Sequence, residues 1–230
     1  MPTPRLILAG GGGAPDSQPL DALFAGWIGP GGRMLYLPVA TGNVAGYRDD
    51  LAWVSAIFRP RGVGAIAMWT HLAGRDAGQL TDFDGIYIGG GNTFHLLDLL
   101  RRTGFDRLLR DFIAAGGAVY GGSAGAIILG RDIGPAAHID PNTAGLRNTH
   151  GLDLLGGYAV WCHYAANDDA PRIRAYIAAT GIPVLALTER AGLRVEGPHI
   201  EAAGYDPCVR YTAAGAHEVA VGEQVSDPVK

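Results

Sequence analysis

Short apolar runs rich in β-branched residues alternate with longer segments of helical spacing along most of this 230-residue chain, and that alternation restricts its fold more than any other feature. The runs are Arg5–Ala9, Met34–Val39, Val63–Met68, Gly85–Ile88, Ala118–Tyr120 and Val184–Leu187, with Tyr158–Cys162 a further candidate. They are continuously apolar, which marks strands buried on both faces of a parallel sheet. Helices are expected over Ala45–Phe58, Thr93–Leu100, Phe105–Ala115 and Pro171–Ala179, the last opening on Pro171 because proline suits a helix start. This order predicts an α/β fold, a mostly parallel sheet with helices on both faces. From Leu193 onward the pattern changes to short strands and turns, expected to form antiparallel hairpins at a sheet edge.

Glycine (36 residues) is scattered as punctuation between elements, without a repeat or a linker, so one domain over residues 1–230 is expected. A net charge of -4 with no Lys/Arg run argues against a nucleic-acid partner. The apolar stretch near Met1 is too short for a signal peptide, and no run approaches the roughly 20 residues that cross a bilayer. No membrane association and a cytoplasmic location are therefore the expectation. The two cysteines, Cys162 and Cys208, form neither a disulfide framework nor a zinc pattern. No metal and no cofactor are expected.

In open α/β sheets, ligands gather beyond the carboxyl ends of the strands, so polar residues just after the runs are the candidates. Gly121-Gly122-Ser123-Ala124-Gly125 fits G-x-S-x-G between a strand and an apolar segment. Such a turn exposes a serine in a strained conformation, with small neighbours so that chain and substrate pass closely. The N–H of Ala124, at the start of the following segment, could stabilise an oxyanion. The competing reading makes Ser123 a helix cap. A hydroxyl needs a base. Among seven histidines, His163 alone directly follows an apolar run, while His71, His95, His138, His150, His199 and His217 do not. Glu189, also at a strand end, could orient the imidazole, giving the order Ser…His…Glu. The loop Gly89-Gly90-Gly91-Asn92-Thr93 lacks a phosphate-binding pattern. It reads equally as a turn capped by Asn92 or Thr93, or as backbone near the substrate, with Gly90 or Gly91 completing the oxyanion site. Gly10–Gly13 is expected to be a structural loop.

Three segments, Ile86–Leu97, Val119–Ala126 and Leu185–Glu189, together resemble the aspartyl dipeptidase (peptidase E) and cyanophycinase family of serine peptidases. The resemblance implies a fold like that of class I glutamine amidotransferases, with serine replacing cysteine at the elbow. It also implies a Ser123, His163, Glu189 triad acting on small peptides, and a role for Asn92 and Thr93 in binding them. A homodimer is possible. Where the dipeptidases carry an arginine before the helix, this chain has Asp168-Asp169-Ala170. Strict preference for N-terminal aspartate is therefore expected to be lost. Asp168 and Asp169 either hold an α-amine or basic side chain, or merely cap the next helix.

Overall fold

The computed structural model describes residues 3–42 and 46–225. Strand β1 (Arg5–Ala9) leads into helix α1 (Gln18–Ile28), β2 (Arg33–Leu37), α2 (Tyr47–Phe58), β3 (Ala65–Met68), the short α3 (Ala77–Leu80) and β4 (Gly85–Ile88). Then come α4 (Thr93–Thr103), α5 (Phe105–Ala114), β5 (Ala118–Gly122) and the single turn α6 (Ala124–Ile127). A 3-10 turn over Gly134–His138 precedes β6 (Ala159–Trp161), α7 (Ala166–Thr180), β7 (Val184–Ala186), β8 (Ala191–Glu196), β9 (His199–Gly204), β10 (Cys208–Thr212) and β11 (Gly215–Val219). Ala45, where the sequence suggested that α2 begins, lies outside the described residues.

The central sheet has the order β3-β2-β4-β5-β1-β8-β9. Its first five strands are parallel, and β8 and β9 close it as an antiparallel hairpin. The apolar runs have the expected cause. Along β1, Leu6 and Leu8 join the core on one face, while Ile7 and Ala9 join that beneath α1 and α2. Period-2 alternation with both faces covered demands an unbroken apolar run. Each large apolar side chain so buried contributes roughly 1.5–3 kcal/mol.

Two expectations need correcting, and one helix was not anticipated. Val184–Leu187 and Tyr158–Cys162 do not extend the central sheet. Their strands β7 and β6 pair in a second, four-stranded sheet of order β11-β10-β7-β6. The place beside β1 is filled by β8, which reverses direction immediately after the Thr188–Arg190 turn. The sequence reading missed α1, although Leu20, Phe24 and Ile28 recur at helical spacing and all three are buried. Helix α7 starts five residues before Pro171, which sits inside it. The helix there gives up one backbone hydrogen bond, since proline has no N–H.

Strand order sets where chemistry can gather. Strand β5 runs between β4 and β1, so the loops after those two strands flank the turn after β5. A cavity of about 480 Å³, lined by Arg5, Trp27, Phe83 and Phe112, lies at the opposite, amino end of these strands and holds none of the candidate residues.

Asp21 is buried on the first turn of α1, 1% exposed, accepting a hydrogen bond from Ser17 Oγ. Desolvation pushes its carboxyl up from an ordinary 3.8 to about 6, against the opposing pull of Ser17 and the Arg61 charge. The fold thus prefers the neutral acid, so the penalty is absent below pH 3.8, grows as pH rises to about 6 and is constant above that. It reaches on the order of 3 kcal/mol. Asp21→Asn is expected to gain stability on the wild type by about that amount between pH 4 and pH 7 in urea unfolding. A difference independent of pH would contradict the assignment.

Candidate active site

The turn after β5 carries Ser123 at φ 48° and ψ -108°, a left-handed conformation outside any favoured basin for a non-glycine residue. Holding it costs on the order of 1–3 kcal/mol. The surroundings offset this. Ser123 N–H donates to Ala9 O at 3.1 Å, and Ser123 O accepts from Ala126 N at 2.8 Å and Ile127 N at 3.0 Å. The flanking glycines are required by close approach: a Cβ on Gly121 would lie 2.5 Å from the Gly125 carbonyl carbon. One on Gly125 would collide with Ile88 O. No side chain fits without moving β4 or β5.

His163 follows β6 and Glu189 follows β7, and because those strands are paired neighbours, their ends meet. His163 Nε2 lies 2.9 Å from Ser123 Oγ, within hydrogen-bonding range. On the other side of the ring, Nδ1 lies 3.5 Å from Glu189 Oε1. His163 also has a positive φ, 53°. The carboxylate is the loose end of this line: its side chain is 62% exposed against 32% for the imidazole. A contact that long and that wet is worth roughly 0–1 kcal/mol. A hydroxyl, an imidazole and a carboxylate so ordered can pass a proton from oxygen to nitrogen and hold the resulting cation.

The glycine loop after β4 lies alongside. A Cβ on Gly90 would be 3.4 Å from Ser123 Cβ, so the Gly90–Gly91 backbone borders the hydroxyl. Ala124 is the first residue of α6, where an amide has no partner within the helix. Asn92 and Thr93 are differently placed. Asn92 Oδ1 caps α4 by accepting from His95 N at 2.8 Å, and its Nδ2 donates to Pro141 O. Thr93 is fully buried, and both its N–H and Oγ1 donate to Asp140 Oδ2, at 2.8 and 2.6 Å. These two residues tie the loop after the Gly134–His138 turn to α4, as the capping alternative required.

The acidic pair divides. Asp169 is buried, its Oδ2 accepts from Ala165 N at 2.8 Å and its Oδ1 lies 3.5 Å from Arg172 Nη1. That is a cap. Asp168 is exposed on the first turn of α7. His138 stacks on Trp161 with ring centroids 4.2 Å apart, and its Nδ1 lies 2.6 Å from Pro135 O. Both cysteines are buried free thiols. Burial pushes the Cys162 thiol far up, with the Asp140 charge adding to the effect, and Cys208 to about 12. Neither is a thiolate at neutral pH, so Cys162, though next to His163, is no nucleophile. Sequence reasoning missed two contributors: Asp140, and the loop Gly10–Gly12, whose only signal was a run of glycines directly after the first strand.

An α/β sheet with a serine, a histidine and a carboxylate converging at its carboxyl edge fits a hydrolase, and comparison with known proteins makes it a peptidase. The model of Peptidase family S51 matches residues 6–203, so this chain belongs to that family. The chain is 28% identical to Peptidase E of Streptomyces coelicolor over 213 residues, 88% of this chain and 84% of that protein. Two solved structures share the fold. A peptidase from an acI-B1 Actinobacterium gives a TM-score of 0.72 at 20% identity, covering 97% of both chains. A Listeria monocytogenes EGD-e protein assigned to peptidase E gives 0.70 at 22% identity, covering 89% of this chain and 100% of that one. No helix among the described residues is long and apolar enough to cross a membrane.

Proposed function

We propose that this peptidase hydrolyses short peptides by acyl transfer through Ser123, with His163 as general base and acid and Glu189 as the group that orients the imidazole. The observation that carries the reading is the 2.9 Å approach of Ser123 Oγ to His163 Nε2 from a backbone held at φ 48°. His163 Nε2 takes the hydroxyl proton as Oγ bonds to the scissile carbonyl carbon. The carbonyl oxygen becomes an oxyanion against the N–H groups of Ala124 and of Gly90 or Gly91. His163 then returns the proton to the leaving amine as the C–N bond breaks, leaving an acyl-serine. A water, deprotonated by the same imidazole, releases the acid and regenerates the hydroxyl.

The family match and the 28% identity to a Peptidase E support peptide substrates. Asp168, exposed on the first turn of α7 and five residues after His163, supports a further point. A substrate carboxylate approaching there meets negative charge, so strict selection of N-terminal aspartate is disfavoured. Asp168, exposed and free of a capping role, is the member placed to attract an amine or a basic side chain. The same serine would also serve isopeptide or ester bonds, and a non-catalytic ligand-binding relative would have no activated hydroxyl.

A fluorophosphonate probe separates these classes. It is expected to label the wild type at Ser123 and not Ser123→Ala, whose hydrolysis falls by about 10³-fold or more with the melting temperature little changed. Full activity in that variant removes the proposal. Glu189→Gln is expected to lower kcat/KM by about tenfold or less, since an exposed pair worth roughly 1 kcal/mol carries no more. A loss as deep as that of His163→Ala would mean the carboxylate closes onto the ring during turnover. Across a panel of Xaa-Leu dipeptides, Asp-Leu is expected to be no better than Ala-Leu or Lys-Leu by kcat/KM. A strong aspartate preference would refute the specificity assignment.

A further inference from the structure

The three residues of the proposed triad come from three separate strand ends, and the last residue of β1 with the chain directly after it hydrogen-bonds to the backbone of all three. Ala9 O accepts from Ser123 N at 3.1 Å, Gly10 O accepts from His163 N at 2.9 Å, and Gly12 N donates to Glu189 O at 3.1 Å. Between the last two bonds lies Gly11, at φ 119°. A Cβ built there would meet Cε1, Nε2 and Nδ1 of His163, all within 3.0 Å. Meeting three consecutive ring atoms at once means that the Cα hydrogen of Gly11 points at the face of the imidazole, not its edge. Gly13, two residues on, differs: a Cβ there would find only Pro15 Cδ at 3.7 Å and Asp16 Oδ2 at 3.9 Å.

We propose that Gly10–Gly12 is the positioning strap of the active site, and that the bare Cα of Gly11 is the platform on which the His163 ring rests so that Nε2 reaches Ser123. Gly11 touches no substrate and acts only through the imidazole. The inference rests on the proposed serine-hydrolase mechanism and deepens it. A methyl group at position 11 fills the space that the ring occupies, and the ring must swing away from Oγ to make room. An imidazole displaced by about 1 Å loses on the order of 10²-fold in rate.

The test is a double-mutant cycle on the full chain. Gly11→Ala is expected to lower kcat by about 10²-fold with KM little changed, whereas Gly13→Ala stays within about twofold of wild type. In a His163→Ala background, Gly11→Ala is expected to cost less than about threefold more, because both substitutions remove the same placed imidazole. An equal 10²-fold loss in both backgrounds would show general damage to the fold and overturn the strap. Wild-type activity in Gly11→Ala, with Ser123→Ala and His163→Ala reduced to residual rates, would overturn the strap and leave the triad reading standing. Activity in Ser123→Ala would remove that reading itself. Should Gly11→Ala fail to fold, the wild type supplies the measurement. With glycine labelled at Cα, a Gly11 Hα is expected upfield of the usual glycine range, displaced by the ring current. It should return to the usual range in His163→Ala. An Hα indifferent to that change would overturn the proposal.

Discussion

One strand end organises this molecule. The carbonyl of Ala9 and the peptide groups of the next three residues join the central sheet to the second sheet, with main-chain hydrogen bonds to Ser123, His163 and Glu189 alike. The two sheets share no ladder, and their ends are held in register by the short Thr188–Arg190 turn from β7 to β8 and by a common segment that bonds to both. Here the segment bonds to β5's end through Ser123, to β6's end through His163 and to the β7–β8 turn through Glu189. Its neighbour β8 locks it further, because Gly10 N donates to Ala191 O. The geometry of the site is therefore a property of main-chain bonding, which side-chain substitution elsewhere disturbs little.

Local backbone strain is distributed along the same seam. Ser123 and His163 both occupy positive φ, and among the described non-glycine residues only Asp153 joins them. A chain tolerates such conformations where neighbouring bonds over-determine them. The bonds to Ala9 O and Gly10 O do that here. Main-chain bonds thus fix where the Ser123 and His163 side chains begin, and the side chains close to 2.9 Å between Oγ and Nε2.

Much of this was legible in the sequence. Continuous apolar runs identified the five parallel strands, and the polar residues just past the ends of such runs include Ser123, His163 and Glu189, whose separation in space no pattern reveals. The alternation could not tell which sheet a run enters. Val184–Ala186 and Ala159–Trp161 are as apolar as β1, and only the pairing of β8 with β1 excludes them from the central sheet. Thr93 and Asp169 illustrate a second limit. Each lies at a helix start near the site, where capping and ligand binding call for the same residue types. The partner decides the role, and the partners, Asp140 and Ala165, are visible only in three dimensions. Gly11 illustrates a third. A glycine signals that something comes close, and the sequence does not say what.

The sealed thiols of Cys162 and Cys208 have a corollary for the protein's working environment. Cys162 Sγ points at the main-chain oxygens of Ala9 and Ser123, directly behind the serine turn, where it is fully buried and burial raises its pKa. Peroxide and disulfide exchange both require an exposed thiolate. The two thiols therefore offer neither peroxide nor a disulfide an exposed sulfur while the protein stays folded.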